Sequence, residues 1–114
     1  MSLLPFGEKA IVSLEKLTEY VLSETHEEGK NKARVFRNLL EITKEDACKL
    51  KEMIQTAVLV NEAKEGKIDR FGKRYSVDFE VKSPTNEVVT IRTGWIVRND
   101  SPYPNFVTCF VLKN

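Results

Sequence analysis

The sequence predicts one domain of the α+β class, with three N-terminal helices packed on a C-terminal antiparallel sheet of three to four strands. Apolar residues recur at helical spacing in the first half of the chain, and after Gly66 they alternate with polar residues. Helices and strands are therefore segregated along the chain. We place the helical part at residues 13–62 and the sheet part at residues 66–113 of a single domain that spans residues 1–114.

Three helices account for the first half. Ser13 is a candidate N-cap for a helix over residues 14–23, because its hydroxyl can accept a hydrogen bond from a free amide at a helix start. A second short helix follows the polar loop at residues 24–29. Residues 43–46 resemble a capping box, which predicts a third helix over residues 44–61. The predicted apolar faces comprise Leu14, Leu17, Val21, Ala33, Phe36, Leu39, Leu40, Ala47, Leu50, Ile54, Ala57 and Val58.

Strands account for the second half. Apolar residues occupy every second position from Tyr75 to Val81, which is typical of a half-buried antiparallel strand. Trp95 belongs to the next strand and is predicted to lie in the core. In chain order we predict a candidate edge strand at residues 67–71, the strand around residues 74–81, a turn at 83–86, a strand at 88–98, a turn at 99–104 and a closing strand at 106–112.

Composition and net charge exclude few classes of function. Of the 114 residues 41% are hydrophobic and 31% are charged, as in an ordinary globular domain. A formal net charge of +1 selects neither nucleic acid nor a membrane surface as the partner. Residues 1–62 carry nine basic and eleven acidic side chains, whereas residues 63–114 carry nine and six. The sheet half therefore holds the excess of positive charge.

No segment indicates a membrane span, a signal peptide, a metal site or a bound cofactor. The longest apolar runs fall short of the ~18 residues that a span requires, so we expect a cytoplasmic protein. Cys48 and Cys109 are predicted to be reduced core thiols. The sequence contains no Gly-rich phosphate loop, HExxH motif, zinc-finger spacing or GxSxG elbow, which argues against metal and nucleotide-triphosphate chemistry.

Lys30, Arg34 and Arg37 are predicted to share one side of the second helix. Three cations in a stripe form a candidate phosphate-binding site. The alternative is a solvated face in which Arg37 pairs with Glu41, four residues further along the helix.

Two more residues near this helix are candidates for chemistry. Helical geometry places Lys32 at the edge of the apolar side, near Phe36 and Leu39. Its stem either runs along apolar surface towards water or projects into a cleft between helix and sheet, where a cation is available to a phosphate. His26, the one histidine, precedes this segment and is either a general acid or base or a surface loop residue.

The strands offer a third group of candidates. Arg92 and Arg98 share one face of their strand, where they form a candidate cationic floor, and Thr108 on the neighbouring strand is a candidate hydroxyl donor. Exposed sheet faces also carry Arg and Thr for solubility and strand pairing alone.

Four segments together resemble a known family. They are His26, the run 29–36 (GKNKARVF), the run 74–79 (RYSVDF) and the run 93–98 (TGWIVR). As a set they look like a small bacterial family described as a domain of unknown function and numbered 6883. The resemblance spans residues 10–112 and includes Thr108 in the last strand.

A similar GK..KA..F segment followed by a four-stranded sheet occurs among bacterial toxin ribonucleases of the barnase, EndoU and RelE-like fold group. The resemblance implies this fold and a metal-independent endoribonuclease activity, with RNA as the substrate and a small immunity or antitoxin protein as the partner. It implies that a ribose 2′-hydroxyl attacks the adjacent phosphorus and leaves a 2′,3′-cyclic phosphate.

In that reading His26 is an acid or base, Lys32 and Arg98 stabilise the phosphate in one shared anion pocket, and Thr108 orients it. No glutamate stands out as the second acid or base. A non-catalytic protein-interaction module, or a domain that binds nucleic acid without hydrolysis, remains the alternative. The sequence does not specify an oligomeric state.

Overall fold

Three short helices precede a four-stranded antiparallel sheet in the computed structural model, which describes residues 2–27 and 30–112. The predicted α+β class is confirmed. The helices are α1 (Leu14–Lys16, continued by a π-helical turn over Leu17–Val21), α2 (Lys30–Leu40) and α3 (Ala47–Ala57, after a 3-10 turn over Lys44–Asp46). The strands are β1 (Ala63–Asp69), β2 (Gly72–Lys82), β3 (Val88–Arg98) and β4 (Asn105–Leu112).

Side chains cap two helix starts as predicted. Ser13 Oγ accepts a hydrogen bond from the Lys16 amide at 3.4 Å. The Thr43 amide donates to the Asp46 carboxylate at 3.0 Å, so the capping box before α3 is present. Each cap occupies a group that the first turn of a helix leaves without an intrahelical partner.

The sheet has the strand order β1-β2-β3-β4. Strands β2 and β3 pair without interruption from Gly72 opposite Arg98 to Lys82 opposite Val88. Between β3 and β4 the register shifts at Gly94, which lies opposite Thr108. The edge strand begins at Ala63, four residues before its predicted start, because β1 pairs back as far as Val77.

All three helices contribute to a core on one face of the sheet. Trp95 is 1% exposed and lies in this core, as predicted. Its indole N–H donates to the Thr93 hydroxyl at 2.8 Å, and that hydroxyl donates to the Val77 carbonyl at 2.7 Å. The indole therefore enters the core with its polar group satisfied. The opposite face, called here the open face, carries Arg74, Ser76, Asp78, Glu80, Thr90, Arg92, Gly94, Ile96, Arg98, Thr108 and Phe110.

Three residues predicted to lie in the core are at the surface, namely Leu14, Leu39 and Cys48. Leu14 is 39% exposed in the first turn of α1. Leu39 is 41% exposed, because the buried stripe of α2 runs through Ala33, Phe36 and Leu40 and leaves Leu39 to one side. Cys48 is exposed on α3, whereas Cys109 is buried, so the prediction of two core thiols is wrong for Cys48. Within residues 2–27 and 30–112, no helix has the length and apolar character that crossing a bilayer requires.

Candidate functional site

Lys32 reaches from α2 to the edge of the sheet. Its Nζ lies 4.4 Å from the centre of the Phe110 ring, a cation–π contact. Phe110 belongs to β4, which is an edge strand. Lys32 is exposed, and its amine lies over this ring at the boundary between helix and sheet, a position compatible with both predicted alternatives.

A cleft of about 410 Å³ lies at this boundary, and it brings Lys32 and Thr108 together. Its remaining lining residues are Lys16, Tyr20 and Val107. Lys16 Nζ donates to the Phe106 carbonyl at 3.1 Å, which ties the amine to the start of β4. Two lysines and two hydroxyl-bearing residues thus line the same cleft.

His26 borders a second cleft of about 450 Å³, which also contains Glu15 and Glu19. The rings of His26 and Tyr20 are tilted against each other with 4.4 Å between centroids. The His26 amide donates to Ser23 Oγ at 3.2 Å, which fixes the backbone at this position.

Lys16 and Tyr20 line both clefts. The two clefts are therefore neighbours, and we call them together the joined cleft. His26, Lys32 and Thr108, which come from a loop, a helix and a strand, border this one surface. Of the four predicted catalytic residues, His26 thus lines one of two neighbouring clefts, and Lys32 and Thr108 line the other.

Arg98 is not brought to the joined cleft. It lies opposite Gly72 at the end of β3, whereas Thr108 lies opposite Gly94, four residues earlier. At about 3.3 Å per residue, Arg98 is roughly 13 Å along the strand from the position beside Thr108. Phe110, which Lys32 contacts, lies opposite Arg92 and is roughly 20 Å along the strand from Arg98. The predicted anion pocket shared by Lys32 and Arg98 is therefore not formed. Side chains that alternate along a strand can lie on the same face of the sheet and still be far apart along it.

Arg92 is occupied by an acidic partner. Its Nε and one terminal nitrogen donate to the two carboxylate oxygens of Asp78, each at 2.9 Å. The hydrogen bonds and charge of Asp78 raise the pKa of Arg92. A phosphate would have to displace this bidentate carboxylate to bind Arg92, so the open face is not the free cationic floor that the sequence suggested.

The cationic stripe on α2 forms only in part. Lys30 is half-buried at the first turn, and Arg34 is exposed. Arg37 pairs with Glu24 instead of Glu41, the partner expected in the alternative interpretation. The physical reason is that α2 ends at Leu40 and Glu41 has a left-handed φ of 55°, which takes it off the helical face.

Lys16, Glu19 and Tyr20 of the joined cleft were not predicted to be functional from the sequence. They are spaced three and four residues apart on the first helical segment, so they share one side of it. That spacing was available in the sequence. What the spacing does not show is that this side faces β4 and His26.

Among residues 2–27 and 30–112, no three His, Cys, Asp or Glu side chains lie close enough together to hold a metal ion.

Residues 3–113 match the family described as "Domain of unknown function (DUF6883)". The chain belongs to this family. No curated protein matches the chain. A chain of a contact-dependent growth inhibition toxin–immunity protein complex from Klebsiella pneumoniae 342 has a similar structure, with a TM-score of 0.67 and 15% identity over 90% of this DUF6883 domain and 99% of that chain. At this identity the similarity shows a common fold.

Proposed function

We propose that this DUF6883 domain is a metal-independent endoribonuclease of the bacterial toxin type and that the joined cleft is its active site. The observation that supports the proposal is that two clefts share Lys16 and Tyr20, one of them lined by His26 and the other by Lys32 and Thr108. The fold shared with a chain of a toxin–immunity complex supports the toxin type.

The residues of the joined cleft suit attack by a ribose 2′-hydroxyl. The 2′-oxygen bonds to phosphorus while the bond from phosphorus to the 5′-oxygen breaks. One group takes the 2′-proton and another gives a proton to the leaving 5′-oxygen. We assign these roles to Glu19 and His26, which border the same part of the cleft. Glu19 thus fills the position for which no glutamate stood out in the sequence.

The remaining groups bind the substrate. The ammonium groups of Lys16 and Lys32 stabilise negative charge on the phosphoryl oxygens, and the Thr108 hydroxyl donates a hydrogen bond to one of them. Tyr20 is 38% exposed and offers a ring on which a base stacks.

The other predicted phosphate contacts have a lesser role in this proposal. Lys30 and Arg34 precede and follow Lys32 on α2, so they are positioned for phosphates that flank the reacting one. Arg98 and Arg92 contact RNA only if the bound RNA extends beyond the joined cleft and across the open face of the sheet. The proposed protein partner is a small immunity protein that blocks RNA from entering the joined cleft.

The proposal is tested by RNA cleavage in EDTA. We expect purified protein to cut total RNA or tRNA and to leave 2′,3′-cyclic phosphate ends. Lys32→Ala should lower the rate by about 10²-fold or more, as when a charge-stabilising donor is removed from an active site. The matched control is Lys44→Ala, which removes an exposed lysine at the start of a different helix and should leave the rate unchanged.

Two outcomes contradict the proposal. One is folded wild-type protein that leaves RNA intact, which favours the non-catalytic interaction module. The other is equal cleavage by wild type and Lys32→Ala, which indicates a contaminating nuclease or a different site.

A further inference from the structure

A second groove lies at the other side of the sheet, beside β2. Strand β1 pairs with β2 only as far as Val77, whereas β2 continues to Lys82. Beyond this point the β1 side of β2 faces helix α3 across a groove of about 990 Å³. We call residues 79–82 the free β2 edge.

The backbone of the free β2 edge has unused hydrogen-bonding groups. The Ser83 amide donates to the Glu87 carbonyl at 2.8 Å, and the β2–β3 register is uninterrupted. Odd-numbered residues of β2 therefore bond to β3, and the N–H and C=O of Glu80 and Lys82 point the other way. Within the described part of the chain, no hydrogen bond to these groups is formed.

The groove has an apolar side and an acidic side. Met53 and Ala57 of α3, with Phe79 and Val81 of β2, form the apolar side that continues into the core. The charged lining residues are Lys49, Glu52, Asp78 and Glu80. Asp78 is paired with Arg92, whereas neither Glu52 nor Glu80 forms an ion pair with another described residue. The groove therefore has an acidic excess.

We propose that the free β2 edge binds an extended segment of a partner protein as an added strand, in which apolar residues alternate with lysine or arginine. In such a strand successive side chains point to opposite faces. Apolar side chains would contact Met53 and Ala57 on the helix side, and basic side chains would meet Glu80 on the open face. This surface is separate from the joined cleft, and its assignment does not rest on ribonuclease activity.

Charge complementarity favours such a partner over a second copy of this chain. Two copies joined through their free β2 edges would bring two identical acidic grooves together. Like charges facing each other across paired strands are destabilising. A basic, alternating segment instead supplies the opposite charge and completes the row of backbone hydrogen bonds.

Peptide binding tests the inference. The probe is a short, capped, fluorescent peptide in which Val and Lys alternate, measured by fluorescence anisotropy. The controls are a peptide of the same composition in block order and a peptide in which Val and Glu alternate. We expect the alternating Val and Lys peptide to bind at least about tenfold more tightly than either control.

Variants at Glu80 distinguish the contribution of its backbone N–H to peptide binding from that of its side-chain charge. Glu80→Pro removes an N–H that points away from β3 and keeps the bonds to β3, so it should weaken binding by about tenfold. Glu80→Gln keeps that N–H and should weaken binding mainly at low salt. A second readout needs no variant: amide hydrogen exchange at Glu80 and Lys82 of the wild type should slow when the peptide binds.

Three outcomes overturn the inference. Equal affinity for the three peptides would show that neither alternation nor charge is recognised. Unchanged hydrogen exchange at Glu80 and Lys82 would place the peptide elsewhere. Slow exchange at these amides without peptide, together with a dimer in sedimentation, would assign the edge to a second copy.

Discussion

At the scale of single residues, hydrogen bonding decides what each polar group can do. Arg92 and Arg37 were both candidates for binding phosphate, and both donate to carboxylates within the domain. Lys16 and Lys32 instead keep their amines at a cleft, against a carbonyl and an aromatic ring. The two lysines to which we assign phosphate binding are therefore held by groups other than carboxylates.

Thr93 is the residue on which the placement of Trp95 depends. We predict that Thr93→Val lowers the free energy of unfolding by about 1–3 kcal/mol, because the buried indole N–H loses its acceptor while the side-chain volume is kept. Urea denaturation measures this. The matched control, Thr90→Val, changes a half-buried threonine of the same strand and should have a smaller effect. Equal effects of the two substitutions would contradict the role given to the Thr93 hydroxyl.

At the scale of elements, local pattern and observed structure agree closely in the sheet. Strand β3 has the predicted bounds, and the alternation from Tyr75 to Val81 places these side chains on the helix-covered face. The first helix differs from the prediction, because its α-helical part ends at Lys16 and a π-helical turn continues it. Apolar spacing at Leu14, Leu17 and Val21 is compatible with both forms of helix, so the sequence could not distinguish them.

The β1–β2 hairpin depends on Gly72. This residue has a φ of 146°, and a Cβ there would lie 2.2 Å from the Val97 carbonyl oxygen. We predict that Gly72→Ala lowers the free energy of unfolding by roughly 2–4 kcal/mol, since backbone must shift to relieve the clash. Thermal unfolding measures this. Gly94→Ala is the control, because its Cβ would meet the Thr108 methyl at an ordinary 3.4 Å; a larger loss from the control would contradict the prediction.

At the scale of the whole molecule, the helices cover one face of the sheet and differ in which edge they reach. Helix α2 and Lys16 lie along β4, where the joined cleft forms, whereas α3 lies across a groove from β2. The two proposed surfaces therefore use opposite edges of one sheet. A catalytic role and a partner-binding role can be tested separately for this reason.

The rate at which the Cys109 thiol reacts measures how often the core opens. Burial raises the pKa of its thiol, so the folded chain protects it from thiol reagents both sterically and by keeping it protonated. In Cys48→Ser we expect Cys109 to react about 10³-fold or more slowly than exposed Cys48 does in wild type, measured with a chromogenic disulfide. Equal rates would show that the core opens readily.

The same shift in the Cys109 pKa has a consequence for stability. The unfolded thiol releases its proton near the ordinary pKa of 9.0, and the folded thiol does so at higher pH. The contribution of this thiol to the free energy of unfolding is therefore fully present below pH 9 and is lost as the pH rises above 9.

The sequence alone determined the class of fold, the buried faces of β2 and β3, the cap before α3 and the family, because these depend on residue spacing and on short motifs. Only the tertiary structure decided that Lys32 and Thr108 line one cleft, that Arg98 lies far from it and that Arg37 pairs with Glu24. These outcomes depend on contacts between segments far apart in the chain, such as Lys16 and Phe106, which are 90 residues apart. Spacing within a helix or strand carries no information about which edge of the sheet that helix will cover.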